Sequence, residues 1–180
     1  MTSRRPVRIA IVVFVIAAAF TVDQLTKAWA LASLDDRVVE LGLGIRLELV
    51  FNPGVAFGLG GDLGTPLVIA LILVSLALVG WVLTRAVQGG TMPGTIFLAL
   101  AAGGAIGNVW DRISRATDGP LTGEVVDFIA VDWFAIFNVA DIFTTCGIAA
   151  WALTTVLRPR QHDPIATIDI DPLPDKESHR

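Results

Sequence analysis

Histidine occurs at only two positions, His162 and His179, both in the polar C-terminal tail, and cysteine at only one, Cys146. A single cysteine rules out an intrachain disulfide and a thiolate-rich metal cluster. Inside its apolar run, Cys146 reads as a small core residue. With no histidine in the apolar part of the chain, acids there lack the imidazole that a zinc site or a Ser-His-Asp triad requires. There is no HExxH sequence and no Gly-x-Ser-x-Gly elbow, and Ser33 is the only serine near Lys27. Charge is scarce as well: 17% of residues are charged, the net charge is −4, and the acidic tail supplies part of it. No basic run interleaved with aromatics is present, so nucleic acid is not an expected partner. No metal or cofactor is expected.

What the chain has in quantity is apolar surface, at 54% of its 180 residues, too much for an ordinary soluble domain of this length. Four stretches reach the roughly 20 apolar residues of a spanning helix: 9–34, 66–84, 93–110 and 133–157. The expected fold is an all-α membrane protein of four transmembrane helices, with a small extracytoplasmic β-rich segment between helices 1 and 2. An even number of spans puts both termini on one side. Arg4, Arg5 and Arg8 before the first span, Arg85 between the second and third, and Arg158 and Arg160 after the fourth make that side cytoplasmic. Arg37, Arg46, Arg112 and Arg115 on the other side reduce the bias without reversing it. The first span follows a pair of arginines but has no small-residue cleavage site, so it is expected to be a retained signal anchor. Residues 1–158 form a single membrane-embedded domain in this reading. The Pro- and Asp-rich tail, 159–180, should be disordered and cytoplasmic. No internal repeat is visible.

Between the first two spans, Arg37 to Leu41 and Ile45 to Leu49 alternate polar with apolar around Gly42 and Gly44, the period of two short strands. A small amphipathic sheet on the outer membrane surface follows. The turn after it, Phe51-Asn52-Pro53-Gly54-Val55-Ala56-Phe57-Gly58, joins an amide side chain to glycines that permit close backbone approach. Asn52 and the backbone around Gly54 could receive a peptide there.

Most of the remaining polar groups fall toward one membrane face. Asp23 and Lys27, spaced i, i+4, are expected to form a structural ion pair. Asn108, Asp111 and Arg112 share one helical face; they either bind a ligand or simply reach interfacial water. Asn138 and Asp141 share a face one turn apart. An unpartnered acid in mid-membrane costs roughly 2.5 to 3.5 kcal/mol, so Asp141 calls for a function. Counted from Trp133 at about 1.5 Å per residue, it should lie about 12 Å below the start of the fourth helix.

Two carboxylates in one low-dielectric site share a proton and so supply an acid and a base together, enough to hydrolyse a peptide bond with water. Spacing alone leaves Asp111, Glu124 and Asp127 as candidate partners for Asp141. The ordered blocks VDQLTK, FNPGVAFG, GGAIGNVWDR, VVDF and FNVAD resemble the lipoprotein signal peptidases, or signal peptidase II, a bacterial family of four-helix membrane aspartic proteases. The resemblance runs from Asp23 to about Asp141. It implies that Asp127 and Asp141 are the catalytic pair, that Asn52, Asn108, Arg112 and Asn138 lie near substrate with Gly54 in the same turn, and that Asp23 supports the site, with Lys27 and Asp111 beside it. It also implies a substrate: a prolipoprotein cleaved just before its diacylglyceryl-modified cysteine, in a bacterial cytoplasmic membrane, at a site near the outer face. The partners expected are that substrate and membrane lipids, with the enzyme a monomer. A proton channel using Asp23, Lys27 and Asp141 as a relay would need polar groups across the whole membrane, and a lipid-binding scaffold would need no paired acids.

Overall fold

The computed structural model describes residues 4–55, 58–117 and 119–157. The expected tail, 159–180, lies outside them, as do Ala56 and Phe57 of the turn. Four helices are long and apolar enough to cross a membrane: α1 (Arg4–Ser33), α2 (Thr65–Gln88), α3 (Met92–Ser114) and α4 (Val139–Val156). Three strands, β1 (Val39–Gly42), β2 (Ile45–Asn52) and β3 (Val125–Val131), form one antiparallel sheet in that order.

Helix α3 is the central element. Half of its apolar window is buried inside the protein, against 17% or less in each of the other three helices, and it packs on α1, α2 and α4. Small residues make this possible. A Cβ on Gly103 would come within 2.6 Å of the Ala19 Cβ, and one on Gly104 would collide with the Ala140 carbonyl of α4, so the backbones approach as only small residues allow. Outward-facing side chains such as Phe14, Leu25, Leu73 and Leu153 are exposed from the protein. An apolar girdle of that extent belongs in lipid.

The sheet is larger than the sequence suggested. Its third strand comes from the connection between α3 and α4, and β2 pairs along β3 from Ile45 opposite Val131 to Asn52 opposite Val125, with an irregularity between Leu47 and Val50. The β1–β2 hairpin turns through Gly42, Leu43 and Gly44, all at positive φ.

The fourth span begins later than expected, at Val139 rather than Trp133. Phe137 is held in an extended bridge to Ile129, donating to its carbonyl at 3.0 Å and accepting its N–H at 2.9 Å. Asn138 then caps the helix. Its side chain accepts from the Asp141 N–H, and the Asp141 carboxylate accepts from the Asn138 N–H, a capping box. Asp141 therefore sits in the first turn of α4 and not about 12 Å down a helix. Its capping of the helix start explains part of its placement.

Candidate functional site

The site is assembled on a buried ion cluster. The Lys27 ammonium lies 2.9 Å from Asp23 and 2.9 Å from Asp111, all three side chains with no exposure. The expected Asp23–Lys27 pair is present and has gained a third member from α3. Gln24 donates to both carboxylates, at 3.0 and 3.3 Å, and Arg115 reaches Asp111 from the surface at 3.3 Å. One ammonium between two buried carboxylates would be under-compensated, and Gln24 and Arg115 supply the additional donors. Asp111 and Arg112 are buried, so they are not helix-end charges dissolved in interfacial water.

This cluster reaches the backbone beside each of two further acids. Asp23 accepts the N–H of Ala140, immediately before Asp141, and Asp111 accepts the N–H of Val126, immediately before Asp127. Lys27 also donates to Asn108 Oδ1 at 2.8 Å, and Asn108 Nδ2 donates to Asp141 at 2.8 Å. Asn138 Nδ2 donates to Asp127 at 2.6 Å and to Asn108 Oδ1 at 3.1 Å. Asn52 donates to the second oxygen of Asp127 at 2.9 Å. Of the candidates left open by spacing, Asp127 is thus the acid networked with Asp141, through Asn138, whereas Asp111 faces the ion cluster. Among the described residues Glu124 makes no hydrogen bond to Asp141 or to the ion cluster.

Asn52 closes its own turn by accepting the Gly54 N–H at 2.9 Å. Arg112 donates to the Gly54 carbonyl and to the Asn108 carbonyl, fastening that turn to α3. A Cβ on Gly54 would meet the Leu59 carbonyl at 2.5 Å, so the close backbone approach read from the glycines is real.

Asp127 and Asp141 open on one cavity of about 340 Å³, whose walls include Asn52, Arg112 and Phe134, with Leu71, Val74 and Ser75 from α2 and Thr144 and Thr145 from α4. A second hollow of about 270 Å³ shares Asn52, Asp127 and Ile136 with the first and extends against Phe51. Asp127 is 2% exposed. Burial pushes its pKa up from the usual 3.8 to about 6; the Asn52 hydrogen bond opposes the rise, the Asp141 charge adds to it, and the Asn138 hydrogen bond opposes it again. No group of three or more potential metal-ligating side chains occurs among the described residues.

Sequence reasoning missed Gln24, Arg115 and the cavity residues on α2 and α4. Gln24 stood inside the VDQLTK block; Ser75, Thr144 and Thr145 carry no signal that separates them from ordinary small residues of a span.

Four membrane-length helices and strand β3, with the Asp127 and Asp141 carboxylates on one cavity, fit an integral membrane hydrolase of the acid-pair type. The comparisons with known proteins narrow it. The family model described as signal peptidase (SPase) II matches residues 15–157. A lipoprotein signal peptidase of Bifidobacterium adolescentis is 40% identical over 155 residues, covering 84% of this chain and 80% of its own. One from Streptomyces coelicolor is 34% identical over 166 residues, covering 91% and 78%. A bacterial membrane enzyme solved by the in meso method at 2.3 Å resolution superposes with a TM-score of 0.62 at 25% identity, over 84% of this chain and 88% of that one. The chain belongs to the signal peptidase II family, whose members are aspartic peptidases of bacterial membranes.

Proposed function

We propose that this protein removes the signal peptide from diacylglyceryl-modified prolipoproteins, cutting before the lipidated cysteine, with Asp127 and Asp141 as the catalytic pair. The observation that carries the assignment is the linkage through Asn138, which donates to Asp127 while its own backbone and amide oxygen engage Asp141. Burial makes the Asp127 carboxyl hard to ionise, so it acts as the acid. Asp141 removes a proton from water as the water oxygen adds to the scissile carbonyl carbon, and Asp127 gives its proton to the carbonyl oxygen. In the collapse Asp141 returns a proton to the leaving nitrogen, the C–N bond breaks, and Asp127 recovers its proton from the hydroxyl that becomes the new carbonyl.

The two hollows that meet at Asn52 and Asp127 suit a peptide running across the pair, with the Gly54 turn beside it. Arg112 holds that turn. The arginines Arg4, Arg5, Arg8 and Arg85 all belong to the opposite helix ends, which supports cytoplasmic termini and a site near the outer face. The protein acts as a monomer, and residues 1–158 constitute one peptidase domain. The testing experiment is incubation of the purified protein in detergent with a diacylglyceryl-modified precursor and, in parallel, the unmodified precursor. Release of signal peptide from the first alone is expected; an intact lipidated precursor would refute the assignment.

A further inference from the structure

At the end of the helices remote from the acids, cations gather without counter-charges among the described residues. Arg8 of α1 donates from Nε to the Ala86 carbonyl at 2.9 Å and from its terminal nitrogen to the Gly90 carbonyl, closing the C-terminal end of α2. Its acceptors are therefore accounted for. Arg85, in the last turn of α2, differs. Its Nε is buried without a hydrogen-bond partner among the described residues. Its guanidinium carbon lies 5.8 Å from the Trp81 ring centroid and would be 3.4 Å from a Cβ on Gly90. Trp81 in turn meets Trp151 of α4 edge to face at 5.0 Å, and the Trp151 Nε1 is a second buried donor without a partner among the described residues. None of the described segments that build this end, 4–22, 65–110 and 142–157, contains an aspartate or glutamate.

An oriented guanidinium with an unfilled buried donor and no acid beside it among the described residues suits an external anion. The location decides which. These are the ends of membrane-length helices, where headgroups lie. Trp81 is 42% exposed, as an interfacial tryptophan would be. Val87, Leu153 and Val156, all exposed, offer acyl chains an apolar wall. The planar fork of arginine matches two oxygens of a phosphate, and the neighbouring Arg8 adds positive potential. We propose that Arg85, backed by Trp81 and Trp151 and flanked by Arg8 at the Gly89–Gly90 turn, binds the phosphodiester headgroup of an anionic phospholipid in the leaflet opposite the acid pair.

The test is native mass spectrometry and thermal unfolding of the full chain, delipidated in detergent and titrated separately with phosphatidylglycerol, phosphatidylcholine and inorganic phosphate. The wild type should retain one phosphatidylglycerol, more tightly than phosphatidylcholine, and unfold at a higher temperature with it. Arg85→Gln should weaken that retention by about tenfold or more, as expected for losing charge-assisted hydrogen bonds. Arg46→Gln, on the sheet, should leave it unchanged. Equal retention of both lipids by the wild type, a comparison that needs no variant to fold, would overturn the proposal. So would undiminished retention by Arg85→Gln, or the same stabilisation from inorganic phosphate alone, which would make this a free-anion site.

Discussion

Asp23 accepts the backbone N–H of Ala140 at 3.1 Å, across 117 residues of chain, and so fixes the position of Asp141 one residue further on. Asp111 does the same for the residue before Asp127, accepting the Val126 N–H at 3.2 Å. Lys27 sits between these two supports and also touches Asn108, which donates to Asp141. A single ammonium thus holds both arms of the acid pair in register. Its replacement in Lys27→Met leaves two buried carboxylates facing each other without their cation, so the variant should lose about 3–5 kcal/mol of stability. Thermal unfolding in detergent reads the loss; an unchanged midpoint would show that the cluster does not bear this strain.

Removing ionisation from either acid while preserving its shape separates chemistry from architecture. Asp127→Asn and Asp141→Asn should each insert at normal abundance and each lower turnover of a lipidated precursor by roughly 10²- to 10⁴-fold, the range for loss of a positioned acid or base. Near-normal turnover by either variant would end the dyad assignment.

The raised pKa of Asp127 sets the pH response of the free enzyme. Its proton is held up to about pH 6 instead of being shed near 3.8, so the form with one proton on the pair persists below about 6 and is lost as pH rises through that value. The alkaline limb of kcat/KM should therefore break near pH 6. With peptide bound, more water is excluded and the charged form is disfavoured further, which moves the limb of kcat upward. A kcat/KM that climbs steadily from pH 5 to 8 would contradict the acid role given to Asp127.

The parts of this arrangement that could be read from sequence are the local ones. Asp23 and Lys27 pair because i, i+4 spacing puts them on one helix face, and the four spans announce themselves by length and apolarity. The contacts that matter most to the acids are long-range. Asp111 joins Lys27 only because α3 packs against α1, and β3 exists as a strand only because β2 lies beside it. The run from Trp133 to Phe137 is apolar enough for either helix or strand, and its bridge to Ile129 decides the matter. Asn138 and Asp141, one turn apart, also fit a capping box, in which the three-residue spacing marks where a helix starts.

Close packing of α3 gives a last prediction with its own control. A methyl group on Gly104 would strike the Ala140 carbonyl and lie 2.7 Å from Thr144 Oγ1, both in α4, whereas one on Gly80 of α2 would meet nothing within 4 Å. Gly104→Ala must push α3 and α4 apart and lengthen the 2.8 Å bond from Asn108 to Asp141. It should cost about 1–3 kcal/mol, as overpacking does, and lower kcat by more than it changes KM, because the bond that positions Asp141 is the one lengthened. Gly80→Ala removes a flexible residue from a helix at no steric expense and should be neutral or stabilising by about 0.5–1 kcal/mol. Unfolding midpoints and steady-state kinetics of the two variants measured side by side check both halves. Equal behaviour would mean that the α3–α4 contact is looser than its geometry and does not position the acid.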